Sequence, residues 1–206
     1  RLIDASKFIS TTDNRFNGIY INNKHIHSSN REILYMGDAD VDKKTTAFIP
    51  YNLIKLLIKF KNKFASLEIY PYGFKLLGDK VVLYYSTYEE EACPNFDGVF
   101  ASYSKLTKVQ ITDELKECIN RISLFDEIVN IKISDTSMNI FTNNINEVIT
   151  IDSISIEDCE FKFNINYLKS LINGDVLYFM TKKPGAGIQA IFSESANSKI
   201  LSAIIL

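Results

Sequence analysis

Tryptophan is missing from this sequence and cysteine is scarce: only Cys93, Cys118 and Cys159 occur, odd in number and far apart. That pattern argues against a disulfide scaffold or a zinc site and fits a reducing cytoplasm. No apolar run approaches the ~20 residues that a membrane-spanning helix needs, so no membrane partner is expected. The first residues carry Arg1, Asp4 and Lys7 instead of the apolar stretch of a signal peptide. A surplus of one charge is lacking as well, with 23 Lys and Arg against 25 Asp and Glu. Any nucleic-acid contact must therefore depend on where the lysines lie, not on their total. Apolar and aromatic residues are plentiful, with 14 Phe and 11 Tyr in 206 residues. They suffice for one globular domain or for two of ~100 residues each.

The stretch 161–172 sets the pattern for the rest. Phe161 and Phe163 alternate with Glu160 and Lys162, a period of two that puts both rings on one face of a strand. Asn164 is suited to accept from the first free N–H groups of a helix. Ile165, Leu168 and Leu171/Ile172 then recur at three and four, the spacing of an apolar helix face, with Lys169 turned away. Asn173-Gly174 is expected to stop the helix through a left-handed residue. Strands are expected next at 175–182, 187–193 and 199–206.

The remainder repeats this unit. A helix over 2–10 places Leu2, Ile3, Ser6 and Ile9 on one face. After a turn at Asp13-Asn14-Arg15, strands 16–23 and 24–30 form a hairpin across Asn22-Asn23. Strand 33–37 and a charged loop over 37–44 lead to strand 45–50. The helix expected over 52–64 has Leu53, Leu56, Leu57, Phe60 and Phe64 as its buried stripe. On another face Lys55, Lys59 and Lys63 stand at i, i+4 and i+8, a continuous basic line. Strands 66–71, 73–77 and 80–87 follow, and then a turn-rich connector over 88–99. The second half offers strand 105–111 and a helix over 112–122, with Asp113 and Glu114 in its favourable first turn. Leu115, Cys118, Ile119 and Ile122 point inward there, and strands at 128–134, 137–142, 147–154 and 159–163 lead back to the opening unit. The reading is a duplicated α+β fold, units 1–103 and 104–206, each with two helices packed on antiparallel sheets. The first half lacks only the strand ahead of its first helix, and the chain opens inside that helix without a cap or an initiator Met. Both features lead to the expectation that upstream residues have been removed.

Several short segments occur in a telling order: the helix and first strand of residues 2–21, then His27-Ser28-Ser29-Asn30-Arg31-Glu32-Ile33, then Phe48-Ile49-Pro50 before the second helix. Cys93-Pro94-Asn95-Phe96, Phe163-Asn164-Ile165-Asn166-Tyr167-Leu168 and the closing Ile204-Ile205-Leu206 complete it. Over nearly the whole chain this order resembles the middle and C-terminal domains of the bacterial DNA sliding clamp, the beta subunit of DNA polymerase III. Each motif is short and apolar; their order and spacing carry the likeness. Glu32 and Ile205 depart from positions where that family often has Arg, and Asn30 stands where it has Gly.

The resemblance implies two repeated DNA-clamp domains and a processivity factor without chemistry of its own, in the cytoplasm at the nucleoid. It implies a homo-oligomeric ring around double-stranded DNA when the subunit is full length. In that family three domains per subunit and two subunits close the ring, and the contact joins the N-terminal domain of one subunit to the C-terminal domain of the next. An isolated chain is then expected to be monomeric at micromolar concentration, and a stable trimer would indicate a natural two-domain subunit. Lys55, Lys59 and Lys63 would line the DNA channel, joined by Lys7, Lys116, Arg121 and Lys169 from the other helices. Such a surface meets phosphates without reading bases, so binding is expected to be weak, sequence-independent and salt-sensitive. DNA polymerase and clamp loader would insert short peptides into an apolar groove between the halves. Carried over by position, that groove involves Phe16, Ser28, Arg31, Ile33, Pro94, Val99, Ile188, Ile200, Leu201, Ala203 and Ile204.

Other residues invite sharper readings that fail on spacing. His25 and His27 share a strand face, but two ligands do not make a metal site, and both are read as solvated. Glu89-Glu90-Glu91 reads as a solvated acidic face, since consecutive side chains diverge. The segment 182–187 lacks the order of a phosphate loop and is read as a hairpin turn. No catalytic group, metal or cofactor is expected. The competing reading is a clamp-derived interaction module that binds partner peptides but no longer encircles DNA. A nuclease, the third class, lacks a metal constellation.

Overall fold

The computed structural model describes residues 1–60, 63–86, 93–134, 136–151, 159–182 and 188–203. The chain folds into two compact units, Arg1–Phe96 and Asp97–Leu206.

In the first unit, α1 (Leu2–Ala5) runs on into a 3-10 turn, Ser6–Phe8. Its buried residues are Ala5 and Phe8, while Ile3 is exposed. The inward face is therefore rotated from the one expected, because Phe8 stacks on Tyr35 with ring centroids 5.5 Å apart. Strands β1 (Gly18–Asn22), β2 (His25–Ser29), β3 (Ile33–Asp38) and β4 (Ala47–Pro50) pair antiparallel in the order β4-β1-β2-β3. The β1–β2 turn falls one residue later than expected, on Asn23 and Lys24, with φ of 51° and 68°. Two successive positive φ values match the twist of the flanking strands. Helix α2 (Tyr51–Lys59) follows, and then β5 (Ser66–Tyr70), β6 (Gly73–Leu77) and β7 (Val82–Ser86) form an antiparallel meander. The helix expected to reach residue 64 stops at Lys59, and beyond it the Lys63 N–H donates to the Phe60 carbonyl.

Helix α3 (Phe96–Ala101) occupies part of what reads in sequence as a connector. Phe96 is buried, stacked on His27 at 5.0 Å and tilted against Tyr20 at 5.8 Å. The expectation of a solvated His27 is thereby corrected: Phe96 covers it, and its accessible fraction is only 1%.

The second unit contains β8 (Ser104–Gln110), α4 (Asp113–Ile122), β9 (Ile128–Ser134), β10 (Ser137–Phe141), β11 (Asn146–Thr150) and β12 (Cys159–Asn164). It continues through α5 (Ile165–Leu171), β13 (Val176–Thr181), β14 (Ala190–Ser195) and β15 (Ser198–Ala203). One sheet runs β11-β10-β9-β12 and another β15-β14-β13-β8, all antiparallel. Each unit thus contains the run helix, four strands, helix, three strands among the described residues, and in the second unit β8 precedes it. Phe163 is fully buried, and the Asn164 carbonyl oxygen Oδ1 caps α5 by accepting from the Asn166 N–H at 2.9 Å. The end of α5 is built differently from the left-handed stop expected. Asn173 Nδ2 donates to the Lys169 and Ser170 carbonyls, and a Cβ on Gly174 would lie 2.2 Å from Ser193 Oγ. Glycine serves close packing there.

Replacing the buried Phe163 by Ala should cost about 3–5 kcal/mol through lost burial and a residual cavity. Asn164→Ala should cost about 1 kcal/mol through the lost cap. Urea unfolding of the two variants measures the difference, and equal losses would contradict this account of the β12–α5 unit.

Candidate nucleic-acid interface and partner surface

Helix α2 buries Leu53 and Ile54, which leaves Lys55 and Lys59 exposed one turn apart. Lys55 Nζ lies 4.4 Å from the Tyr51 ring centroid, and Lys59 Nζ 5.6 Å from that of Phe60. Neither lysine has a carboxylate partner among the described residues, so both charges are uncompensated. Lys63 is exposed too, but it sits beyond the helix and does not extend the basic line as expected. Lys7 is paired with Asp4 at 3.1 Å.

In the second unit α4 and α5 pack together, and Lys116 and Lys169 line one hollow of about 520 Å³ with Asn120, Ser170, Ile172 and Asn173. Two ammonium groups and the Asn120 amide around an open hollow are donors suited to phosphate oxygens, while the Ser170 hydroxyl and the Asn173 amide already donate to backbone carbonyls. Lys116 is partly offset by Asp113 at 3.6 Å. Arg121 is committed elsewhere. Its Nε and Nη2 donate to the two Glu147 oxygens at 3.0 and 2.6 Å, and Glu117 lies 3.8 Å away. A guanidinium held in this bidentate fashion is poorly placed for phosphate. The hydrogen bonds from Arg121 hold the Glu147 carboxyl below its ordinary range, and burial, with Glu147 nearby, pushes the Cys118 thiol up to about 12.

The residues carried over to the groove divide by exposure. Phe16 ends a 3-10 turn and is half-buried, under the Arg15 guanidinium at 5.8 Å. Arg31 is exposed, in the left-handed region with φ 81°, and its Nε and Nη2 are held by the Asp13 carboxylate. Asp13 also accepts from the Arg15 backbone N–H, and these hydrogen bonds from Arg15 and Arg31 lower its pKa against the opposing effect of desolvation. Val99 is exposed on α3, and Pro94 and Ile188 are half-buried. Ser28, Ile33, Ile200 and Leu201 are buried, with the Ser28 hydroxyl donating to the Ala5 carbonyl at 2.7 Å. Those four serve as packing residues in this conformation. Ala203 ends β15, and Ile204 lies outside the described residues, as do Glu89-Glu90-Glu91 and most of 182–187.

Sequence reasoning missed an apolar cleft in the first unit, lined by Phe60, Phe64, Val81 and Leu83. The signal was present in Phe60 and Phe64, which read as helix stripe. Among the described residues no group of three or more His, Cys, Asp or Glu could hold a metal ion, and no helix is long and apolar enough to cross a membrane.

No family model matches the sequence, and no curated protein matches it. Solved structures do. All of this chain superposes on 62% of the Helicobacter pylori beta clamp bound to a DNA ligase peptide, at TM-score 0.78 and 9% identity. It also superposes on 63% of the Caulobacter crescentus beta sliding clamp, at TM-score 0.79 and 16% identity. Against DNA polymerase III subunit beta from Pseudomonas aeruginosa the cover is 64% of that chain, at TM-score 0.78 and 13% identity. The chain has the sliding-clamp fold. It spans less than two thirds of each of these clamps, and at such identity the likeness speaks for the fold alone.

The Arg121–Glu147 pair gives a pH test. Because the folded carboxyl titrates below its ordinary 4.5, the pair stabilises fully above that value and is lost as pH falls through the folded one. Glu147→Gln should lower the urea midpoint at pH 7 by a small margin, worth up to about 1 kcal/mol for a pair whose arginine is half exposed. The gap should close only as pH falls below 4.5 and through the lowered folded value; a gap that persists in strong acid would contradict the assignment. Cys118 should resist thiol reagents until the chain unfolds, while the half-buried Cys93 and Cys159 react in the native state.

Proposed function

We propose that this chain is part of a DNA polymerase processivity factor, a clamp that holds duplex DNA and tethers replication or repair proteins. The observation that carries the reading is the uncompensated Lys55/Lys59 pair on α2 together with the Lys116/Lys169 hollow at α4 and α5, on a sliding-clamp fold. These helices turn ammonium groups outward and hold no base-reading element, so the contact is with phosphates, in any sequence. The role is mechanical: the chain positions partners and carries out no reaction. Closure of a ring around DNA in the cytoplasm belongs to the same reading.

The partner side rests on the H. pylori clamp, which is bound to a DNA ligase peptide. By extension, this chain takes short peptides with apolar anchors from polymerase and loader. Phe16 in the first unit, and Val99 and Ile188 in the second, each offer accessible apolar surface for such anchors.

A second reading, an interaction module that no longer encircles DNA, draws on the charge balance. Helix α4 carries Asp113, Glu114 and Glu117 against Lys116 and Arg121, and Arg121 and Lys7 are already paired. Titration of a fluorescent duplex at several salt concentrations separates the two. The clamp reading expects weak, sequence-independent binding, and Lys55→Ala with Lys59→Ala should flatten the logarithmic salt slope by about 2. Binding that is absent at low salt, or unchanged when Lys55, Lys59, Lys116 and Lys169 are all made Glu, would favour the module.

A further inference from the structure

The sheet β15-β14-β13-β8 of the second unit has two unlike faces. Leu177, Phe179 and Ile191 are buried on one, and on that side the Ser193 hydroxyl donates to the Leu171 carbonyl of α5 at 2.6 Å. Alternation and register put Lys108, Tyr178, Phe192, Glu194 and Lys199 on the other. Lys105, beside a register shift between Phe179 and Met180, reaches the same face. Its Nζ lies 3.7 Å from the Tyr178 ring centroid, 5.2 Å from that of Phe192 and 3.4 Å from Glu194 Oε2.

Glu194 shows what kind of group this face holds. Its carboxylate meets two ammonium groups, Lys105 at 3.4 Å and Lys199 at 3.3 Å, and one carboxylate against two lysines leaves positive charge over. Lys108, opposite Tyr178 in the register, adds to it, as does Lys182, whose Nζ lies 4.9 Å from the Tyr103 ring centroid. Neither has a carboxylate partner among the described residues. The Tyr178 ring is engaged by Lys105 and, at 5.8 Å, by Phe192, which leaves it a poor platform for a nucleobase. The charge is continuous with apolar surface. Phe192 meets Phe100 of α3 edge-on at 6.0 Å, and Phe100 follows the exposed Val99 that was carried over to the groove.

We propose that this sheet face takes the acidic flank of a partner peptide, with Asp or Glu carboxylates seated on Lys105, Lys108 and Lys199. The proposal rests on the reading that the chain takes peptides with apolar anchors, and it adds which of them the chain prefers. Apolar anchors supply most of the affinity of such a contact, and charge at its border selects among partners and sets the register. The ligand is a carboxylate peptide because the face already holds one side-chain carboxylate between two lysines, and because its positive charge runs on from the apolar surface at Val99 and Phe100. The lysines here are separate from Lys116 and Lys169, so duplex binding by the helices is left unaffected.

Fluorescence anisotropy with synthetic peptides tests it on the 206-residue chain, with far-UV circular dichroism to check folding. The peptides share Leu and Phe anchors and differ only in flanks of Asp and Glu, of Asn and Gln, or of Lys. The acidic peptide should bind about tenfold tighter than the neutral one at low salt, and the Lys peptide weakest, with the differences shrinking as salt is added. Lys105→Glu with Lys199→Glu should erase the acidic preference and leave the affinity for the neutral peptide unchanged. Should that variant misfold, Lys108→Glu, whose lysine has no carboxylate partner among the described residues, gives the same readout at smaller amplitude. Equal affinity for the three peptides, or an acidic preference that survives both variants, would overturn the proposal and leave the peptide reading standing. Failure of every peptide to bind would overturn that reading and the proposal with it. An oligothymidylate that displaces the acidic peptide and binds more tightly would assign the face to single-stranded nucleic acid and overturn the proposal alone.

Discussion

Leu53 and Ile54 in α2, Leu115, Cys118, Ile119 and Ile122 in α4, and Ile165, Leu168 and Leu171 in α5 are all buried, and that burial governs what else these helices can do. Each short helix is stable only because its apolar face packs against the rest of its unit, at roughly 25 cal/mol per Å² removed from water. Once that face is fixed, helical geometry decides where the remaining side chains point. Lys55 and Lys59 lie at the next turn of the same outward face, and Lys116 and Lys169 meet at the seam where α4 packs on α5. In each unit the basic patch is thus a consequence of that unit's core, and a substitution that rotated a helix would move its lysines with it.

How much that surface is worth depends on how its charges are satisfied. The lysines of α2 meet aromatic faces, which leave an ammonium free to approach a phosphate. Arg121 shows the opposite case. It lies on the same helix as Lys116, yet its fork is closed on Glu147, and it ties α4 to β11 instead of facing outward. A nearly neutral chain can still present positive patches when its acids pair selectively: in the first unit pairing engages Lys7 and spares Lys55 and Lys59, and in the second it engages Arg121 and spares Lys169.

The repeat of helices and strands was legible because its signals are local. Alternation fixed β6 and β9, Asn164 marked the start of α5, and Thr112 accepts from the Leu115 N–H at the start of α4. Contacts distant in sequence were not legible. Helix α3 hid in a run with Asp97 and Gly98, and its reason for forming, Phe96 packing on His27 and Tyr20, is tertiary. The end of α2 was misplaced because Phe60 and Phe64 continue the apolar spacing of the helix, although they line a surface cleft. For the candidate site, the lysine pattern on α2 could be read directly. That Arg121 is spent on Glu147, and that Ser28, Ile33, Ile200 and Leu201 are packing residues, depends on partners no spacing rule supplies.

On the proposed function, the outward helix faces, not the sheets, meet duplex DNA. Hydrogen–deuterium exchange of the chain with and without a short duplex at low salt tests it most directly. The account predicts slowed exchange in Tyr51–Lys59 and around the Lys116/Lys169 hollow, with no change in the β5–β7 meander or in β9–β11. Protection confined to those strands, with the helices unaffected, would contradict it.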